Sequence, residues 1–328
     1  MKNRDRPRFW LLVFTCLVAF CSNAFPQSGK TYRIGVLETT PASSNRVNFD
    51  AFLRGMRDAG YVEGKNLVID YRSSDGQSER FDELTANLVR AKPDVMLVRG
   101  TPAALAAKKA GTMPTVMVAG ANPIGTGVVT NLSHPGGNIT GLSSLVGELQ
   151  PKRIELMKEL LPGAKRMGLM LNPKNPNSKL QSADFERATR TLGVEGRIFE
   201  AQDAEGLRQA FAAAKAQSVT AFLINAEGLM SANRSLIVET AAKHRMPVMF
   251  AGREFVEAGG LISYGVNYPD LYYRAASYVA KIFKGAKPGD LPIEQPTKLE
   301  LVVNLKTAKA LGIHLSREFL ARTDDAIQ

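Results

Sequence analysis

The chain has only two cysteines in 328 residues, and both, Cys16 and Cys21, fall within its first 24 positions. Those positions read as an export signal. Lys2, Arg4, Arg6 and Arg8 face one acid, Asp5, and an apolar run from Phe9 to Phe20 follows. Ser22-Asn23-Ala24 then places small residues at a cleavage point after Ala24. The apolar run is too short for a membrane span, which takes about 20 residues. The bulky Phe20 argues against acylation of Cys21. Cleavage leaves no cysteine, which excludes disulfides, thiolate metal sites, thiol catalysis and iron–sulfur clusters.

Histidine is almost as scarce. His134, His244 and His314 are the three present, and none has a spacing to acids or to another histidine that would bind zinc. No Gly-x-Ser-x-Gly elbow occurs. Gly60-Tyr61-Val62-Glu63-Gly64-Lys65-Asn66 has three residues between its glycines where a phosphate loop needs four, and it reads as a turn. Gly125-Thr126-Gly127 is too short for a dinucleotide fingerprint. The Asn-x-Ser/Thr triplets at Asn131, Asn138 and Asn233 carry no weight without a glycosylating host. No catalytic residue, metal ligand or cofactor site is expected. Dense basic blocks with interleaved aromatics are also absent. Loss of the leader takes the formal net charge from +11 to about +8. The lysines and arginines are scattered, as at Lys152, Arg153 and Lys158, so nucleic acid is not an expected partner.

What remains is long enough to fold by core burial alone, since a chain of about 300 residues buries about three quarters of its unfolded surface. That length also predicts two domains. Short β-branched runs alternate with amphipathic stretches. The runs are Arg33–Leu37, Leu67–Tyr71, Asp94–Val98 and Thr115–Ala119, then Met167–Leu171, Gly196–Phe199, Ala221–Ile224 and Pro247–Phe250. Phe49, Phe52, Leu53, Met56 and Ala59 recur at helical steps before Gly60, as do Phe81, Leu84, Leu88 and Val89. Such alternation predicts an α/β fold of two lobes with parallel sheets covered on both faces. The Gly-rich passage Pro135–Ser144 suits a crossover between lobes. Further crossings are expected at or just after Leu261–Gly265 and near Pro288–Pro296. The resulting division is a signal over residues 1–24, one lobe over 31–143 plus about 268–295, and the other over 144–267 plus about 296–328. Several strands joining two lobes make a hinge around a cleft.

In parallel α/β sheets ligands bind beyond the carboxyl ends of the strands, where helix N-termini point free N–H groups. The residues just past each strand are therefore the candidates. The first lobe offers Thr39, Thr40, Thr101, Pro102, Ala103 and Asn122. The second offers Asn172, Asn225, Glu227 and Arg253, with Tyr264 between a strand and the next helix. Thr101 reads as an N-cap with Pro102 at the first helical position, so its hydroxyl and the following amides would suit an anion. Arg253 is either a charge clamp or a surface partner of Glu254 or Glu257. Tyr268, Tyr272, Tyr273 and Tyr278 have the spacing of a helix face that is core or an aromatic wall. Asn267 and Asp270 around Pro269 read as caps of that helix.

Three segments together resemble a known family: Gly100-Thr101-Pro102-Ala103-Ala104-Leu105, Pro135-Gly136-Gly137-Asn138-Ile139-Thr140-Gly141-Leu142, and Arg253-Glu254-Phe255-Val256-Glu257-Ala258-Gly259-Gly260. The tail segments Asp290–Lys298 and Asn304–Lys309 add to the match. They resemble the substrate-binding proteins of ABC transporters, in the branch whose characterised members bind aromatic amino acids. The resemblance covers the whole chain after the leader. It implies a type I periplasmic-binding fold, two Rossmann-like lobes closing on a small solute, no enzymatic activity, and delivery to a membrane permease by a periplasmic monomer. Two departures bear on the solute. Asn122-Pro123 stands where many relatives would carry Asp-Pro, and Ala226-Glu227-Gly228 where another Asp is expected. Glu227 is then the acid left to hold a substrate ammonium.

Two other classes compete. A ligand-sensing regulator of the same fold would need a DNA-binding headpiece where this chain has its leader. An exported hydrolase with a hinged cleft would have to work with carboxylates alone, as glycosidases do.

Overall fold

A computed structural model describes residues 30–328. The leader, both cysteines and the expected cleavage point after Ala24 lie outside the described residues.

The first sheet is built in the order in which the apolar runs occur. β1 (Tyr32–Glu38), α1 (Arg46–Asp58) and β2 (Leu67–Ser73) open it. α2 (Phe81–Arg90), β3 (Val95–Arg99) and α3 (Gly100–Lys109) follow. β4 (Thr115–Ala121) and β5 (Ile139–Ser144) complete it. Its order is β2-β1-β3-β4-β5, parallel throughout. Every residue of β3 is buried, the pattern of a strand covered on both faces. β4 carries a bulge where its register with β5 shifts between Met117 and Gly120.

The second sheet is larger. α4 (Gln150–Leu160), β6 (Arg166–Leu171), α5 (Ser178–Thr191) and β7 (Glu195–Glu200) begin it. Next come α6 (Ala204–Ala216), β8 (Ala221–Ile224), α7 (Gly228–Ala232) and α8 (Arg234–His244). β9 (Val248–Phe250), α9 (Arg253–Glu257), β10 (Ile262–Val266) and α10 (Tyr268–Phe283) follow. The chain ends in β11 (Leu299–Asn304), α11 (Leu305–Leu311), α12 (Arg317–Leu320) and β12 (Asp325–Ile327). The order is β12-β11-β10-β9-β8-β6-β7. β10 and β11 pair antiparallel, an exception to the expected all-parallel plan. The reason is the hinge: β10 leaves this lobe and β11 returns to it, so they run in opposite directions.

α10 follows β10 in sequence but packs on the first lobe, where Leu271, Tyr272, Ala275 and Ala276 join Ala51, Phe52 and Met56 of α1 in one core. Asn267 caps it, its side chain accepting from the Asp270 N–H at 2.7 Å. The crossings lie side by side in pairs. Segment 141–144 runs along 294, with Ser143 N donating to Glu294 O at 2.9 Å and Glu294 N to Gly141 O at 3.0 Å. Asn267 N donates to Lys298 O at 3.2 Å beside the Val266–Leu299 pair. Paired extended segments bend with small dihedral changes while keeping their hydrogen bonds, which suits a hinge. No helix among the described residues is long and apolar enough to cross a membrane.

Candidate functional site

The carboxyl ends of both sheets face one cleft. The first lobe lines it with Thr39 after β1, Ser74 after β2, Ser78, Phe81 of α2, Arg99 of β3, Gly100, Thr101 and Pro102 of α3, and Ala119 and Ala121 of β4. Ser144 and Val146 line it at the crossover. The second lobe supplies Asn175, Gln181, Asn225, Ala226, Glu227 and Gly228, and Tyr268 closes one side. Counted out to open solvent, the space is ≈ 590 Å³. Lys174 Nζ of the second lobe stands 3.2 Å from Glu79 Oε1 of the first, so the lips of the cleft touch.

Gly100 explains how α3 reaches the cleft. Its φ of +77°, readily adopted only by glycine, turns the chain from β3 straight into the helix. The helix therefore begins at Gly100 and not after Thr101, which corrects the expected N-cap. The Thr101 hydroxyl is spent elsewhere. It donates to Ala121 O and accepts from Ala121 N, both at 3.1 Å, tying α3 to the end of β4. Three other hydroxyls on the cleft, Thr39 Oγ1, Ser74 Oγ and Ser144 Oγ, are buried without a hydrogen-bond partner. A bound solute or water would satisfy them.

Glu227 is the acid of the second-lobe wall. It caps α7, with Oε1 accepting from Met230 N at 3.0 Å. Oε2 accepts from Asn175 Nδ2 at 3.2 Å and from Asn172 Nδ2 at 3.4 Å. Burial raises its pKa above the usual carboxylate range, against the lowering effect of those hydrogen bonds.

Two buried arginines flank the space. Arg153 of α4 donates to Tyr264 O at 2.7 Å, Val146 O at 3.4 Å and Asn225 Oδ1 at 2.9 Å. Asn225 passes the constraint on, donating to Gln181 Oε1 at 2.8 Å. Burial without an acid beside it pulls the Arg153 pKa down to about 10. Arg99 is 6% exposed and sits 5.1 Å from the centre of the Tyr268 ring, a cation–π distance. Burial alone would lower its pKa, but Tyr272, Glu38, Tyr268 and Glu254 outweigh that and raise it. Glu38, buried behind it, bonds the Tyr272 hydroxyl and is pushed above the usual carboxylate range by burial.

The structure brings together Thr39, Thr101, Pro102, Asn225 and Glu227 from among the sequence-derived candidates. Thr40 and Arg253 line a separate outer hollow beyond Arg99 and Tyr268. The Arg253 guanidinium is held there by Glu257 and Asp325, each at 2.8 Å, and Glu300 at 3.5 Å, and it makes no pair with Glu254. Asn172 stands behind Glu227 as its partner. Ala103 is wholly inside the first-lobe core, and the Tyr264 side chain packs on the second-lobe core, because α3 and β10 turn those positions inward. Asn122 lines a different groove with Gly147 and Pro151. Of the four tyrosines, Tyr272 and Tyr278 are core, Tyr273 is exposed, and only Tyr268 reaches the cleft.

Sequence reasoning passed over Arg99, Ser74, Ser144, Asn175 and Gln181, and it left Tyr268 among four tyrosines that were either core or an aromatic wall. Arg99 carried a usable signal, as the one charge ending the apolar run Val95–Val98. Gln181 and Asn175 carried none, since polar residues on a helix and a loop look solvated. Among the described residues, no group of three or more His, Cys, Asp or Glu side chains is placed to hold a metal ion.

A family described as ABC transporter substrate binding protein matches residues 33–327. A tyrosine-binding protein of Clostridioides difficile is 26% identical over 295 residues, covering 89% of this chain and 84% of that protein. A conserved domain protein from Vibrio cholerae superposes with a TM-score of 0.84 at 29% identity, over 90% of this chain and 100% of its own. An ABC domain from Streptococcus pneumoniae in complex with L-Trp superposes with a TM-score of 0.83 at 25% identity, over 91% of this chain and 100% of its own.

Proposed function

The chain belongs to the ABC transporter substrate-binding protein family, with the two-lobe type I periplasmic-binding fold, and from that premise we propose that it captures an aromatic amino acid between its lobes. The relatives that carry tyrosine and L-Trp in their descriptions support that solute class. The observation that carries the reading is the mixed character of this interlobe cleft. Phe81, Pro102, Val146 and Ala119 give it an apolar wall for a ring, while Glu227 and the unpartnered hydroxyls of Thr39, Ser74 and Ser144 give it polar groups for a zwitterion. Glu227 takes the ammonium.

The closing bodies are residues 31–143 with about 268–295, and residues 144–267 with about 296–328. The packing of α10 on α1 supports that division. The protein works outside the cytoplasm as a monomer, after cleavage behind Ala24, and hands its solute to a permease without altering it. Intact-mass analysis of material exported by a bacterial host tests the leader, and a mature chain beginning at Met1 or acylated at Cys21 defeats it.

A thermal-shift panel of amino acids, aromatic acids, small amides and sugars, followed by calorimetry, tests the solute class. L-tyrosine, L-tryptophan or L-phenylalanine should raise the melting temperature most. A sugar raising it while every amino acid leaves it unchanged would falsify the reading. Glu227→Gln should weaken the amino acids and spare their deaminated analogues.

A further inference from the structure

We propose that Arg99 is the anion receptor of the cleft, binding the carboxylate of the solute between its guanidinium and the first turn of α3. This rests on the cleft being the solute site, and it names the residue that takes the solute's carboxylate.

Burying a guanidinium is costly unless something compensates it. Arg153, equally buried, spends its donors on three oxygens of the chain itself. Arg253 is clamped by three carboxylates. Arg99 enters no ion pair among the described residues. Its neighbours are the Tyr268 ring and hydroxyl, and at longer range Glu38 and Glu254. Glu38 is already engaged by the Tyr272 hydroxyl and by Thr39 N at 3.2 Å. Apart from the bond to the Tyr268 hydroxyl, its N–H donors are held on the cleft wall without a carboxylate partner.

A second observation points to the same place. Thr39 follows β1, the neighbour of Arg99's own strand, and Ser74 follows β2 next to it, and both hold buried hydroxyls with no partner. The α3 amides open beside them, and their partial positive end favours a negative group. The carboxylate would accept from guanidinium, hydroxyl and amide at once, an arrangement that neither an amine nor a sugar hydroxyl fits as well.

Calorimetry on wild type, Arg99→Lys and Arg99→Gln with L-tyrosine, L-tryptophan and the carboxamides of both tests this. Wild type should prefer each acid to its carboxamide. Arg99→Gln should weaken the acids roughly 10- to 100-fold and the carboxamides far less, so that the preference collapses. Arg99→Lys should recover part of it. Because Arg99→Gln strips Glu38 of its nearest cation, the double variant Arg99→Gln/Glu38→Gln is measured alongside, with circular dichroism to verify folding. Equal loss on acid and carboxamide makes Arg99 a merely structural residue and overturns the proposal, as does no loss at all. If wild type binds neither acid nor carboxamide, the aromatic amino-acid reading falls by itself. Arg99 is then measured on phenylpropionate and benzoate, and failure to bind these overturns the anion receptor as well.

Discussion

Gly76 of the first lobe lies directly against Ala232 of the second: a Cβ on Gly76 would stand 2.8 Å from the Ala232 Cβ and 3.2 Å from Gly228 O. This contact crosses from one lobe to the other, so it bears on how closely they approach and not on either lobe alone.

Gly76→Ala should therefore weaken binding of the solute identified in the panel by roughly tenfold, ~1.4 kcal/mol. It should also cost the free protein about 1–2 kcal/mol, because Gly76 sits at φ +81°. The two effects separate in the Ala232→Gly background, where affinity should recover and the backbone cost should not. Small-angle scattering should show a smaller radius with saturating ligand in wild type and a lesser contraction in Gly76→Ala. Unaltered affinity in the single variant rules the contact out as part of closure.

Arg153→Met should lower stability by about 1–3 kcal/mol, since the carbonyls of Tyr264 and Val146 and the Asn225 amide lose a charged donor in a buried place. Affinity should fall with it, because Asn225 and Gln181 lose the group that orients them toward the cleft. Urea unfolding and calorimetry on the same samples check both. An unchanged urea midpoint contradicts this account of Arg153.

Thr101→Val keeps the shape of the side chain and removes its two hydrogen bonds to Ala121. A loss of about 1–3 kcal/mol in unfolding free energy is expected, with a smaller effect on binding. A large binding defect at full stability would mean that the hydroxyl contacts the solute after all.

Burial sets the pH behaviour of Glu227. Its pKa is raised in the folded chain, so its contribution to stability is complete below the unfolded value and is lost as pH rises through the folded one. Glu227→Gln lacks this titration. Relative to wild type, its melting temperature should therefore be higher at pH 8 than at pH 4.5. An identical difference at the two pH values shows that Glu227 is not destabilised by burial.

The alternation of strands and helices and the two-lobe plan could be read from residue order. These follow from periodicity and from glycine and proline, which act over a few residues. Asn267 could likewise be read as a cap, because a cap bonds a backbone group three positions away. Thr101 could not. Its partner, Ala121, is twenty residues off on another strand, and nothing in the local pattern distinguishes a hydroxyl turned toward its own helix end from one turned toward β4.

The same limit divides the cleft. Residues beyond strand ends were legible as a class, since topology alone puts the carboxyl ends of parallel strands at one edge. Which of them face the solute depends on side-chain direction and on the second lobe. Ala103 and Tyr264 turn into cores, while Arg99, which composition alone would place in solvent, is buried beside Tyr268 from a helix 169 residues later in the chain. Sequence by itself determined the two-lobe α/β plan, because local periodicity and turn chemistry encode it. Only the tertiary structure decided which charges are buried, which are already neutralised and which remain open to a ligand, because those depend on contacts between segments far apart in the chain.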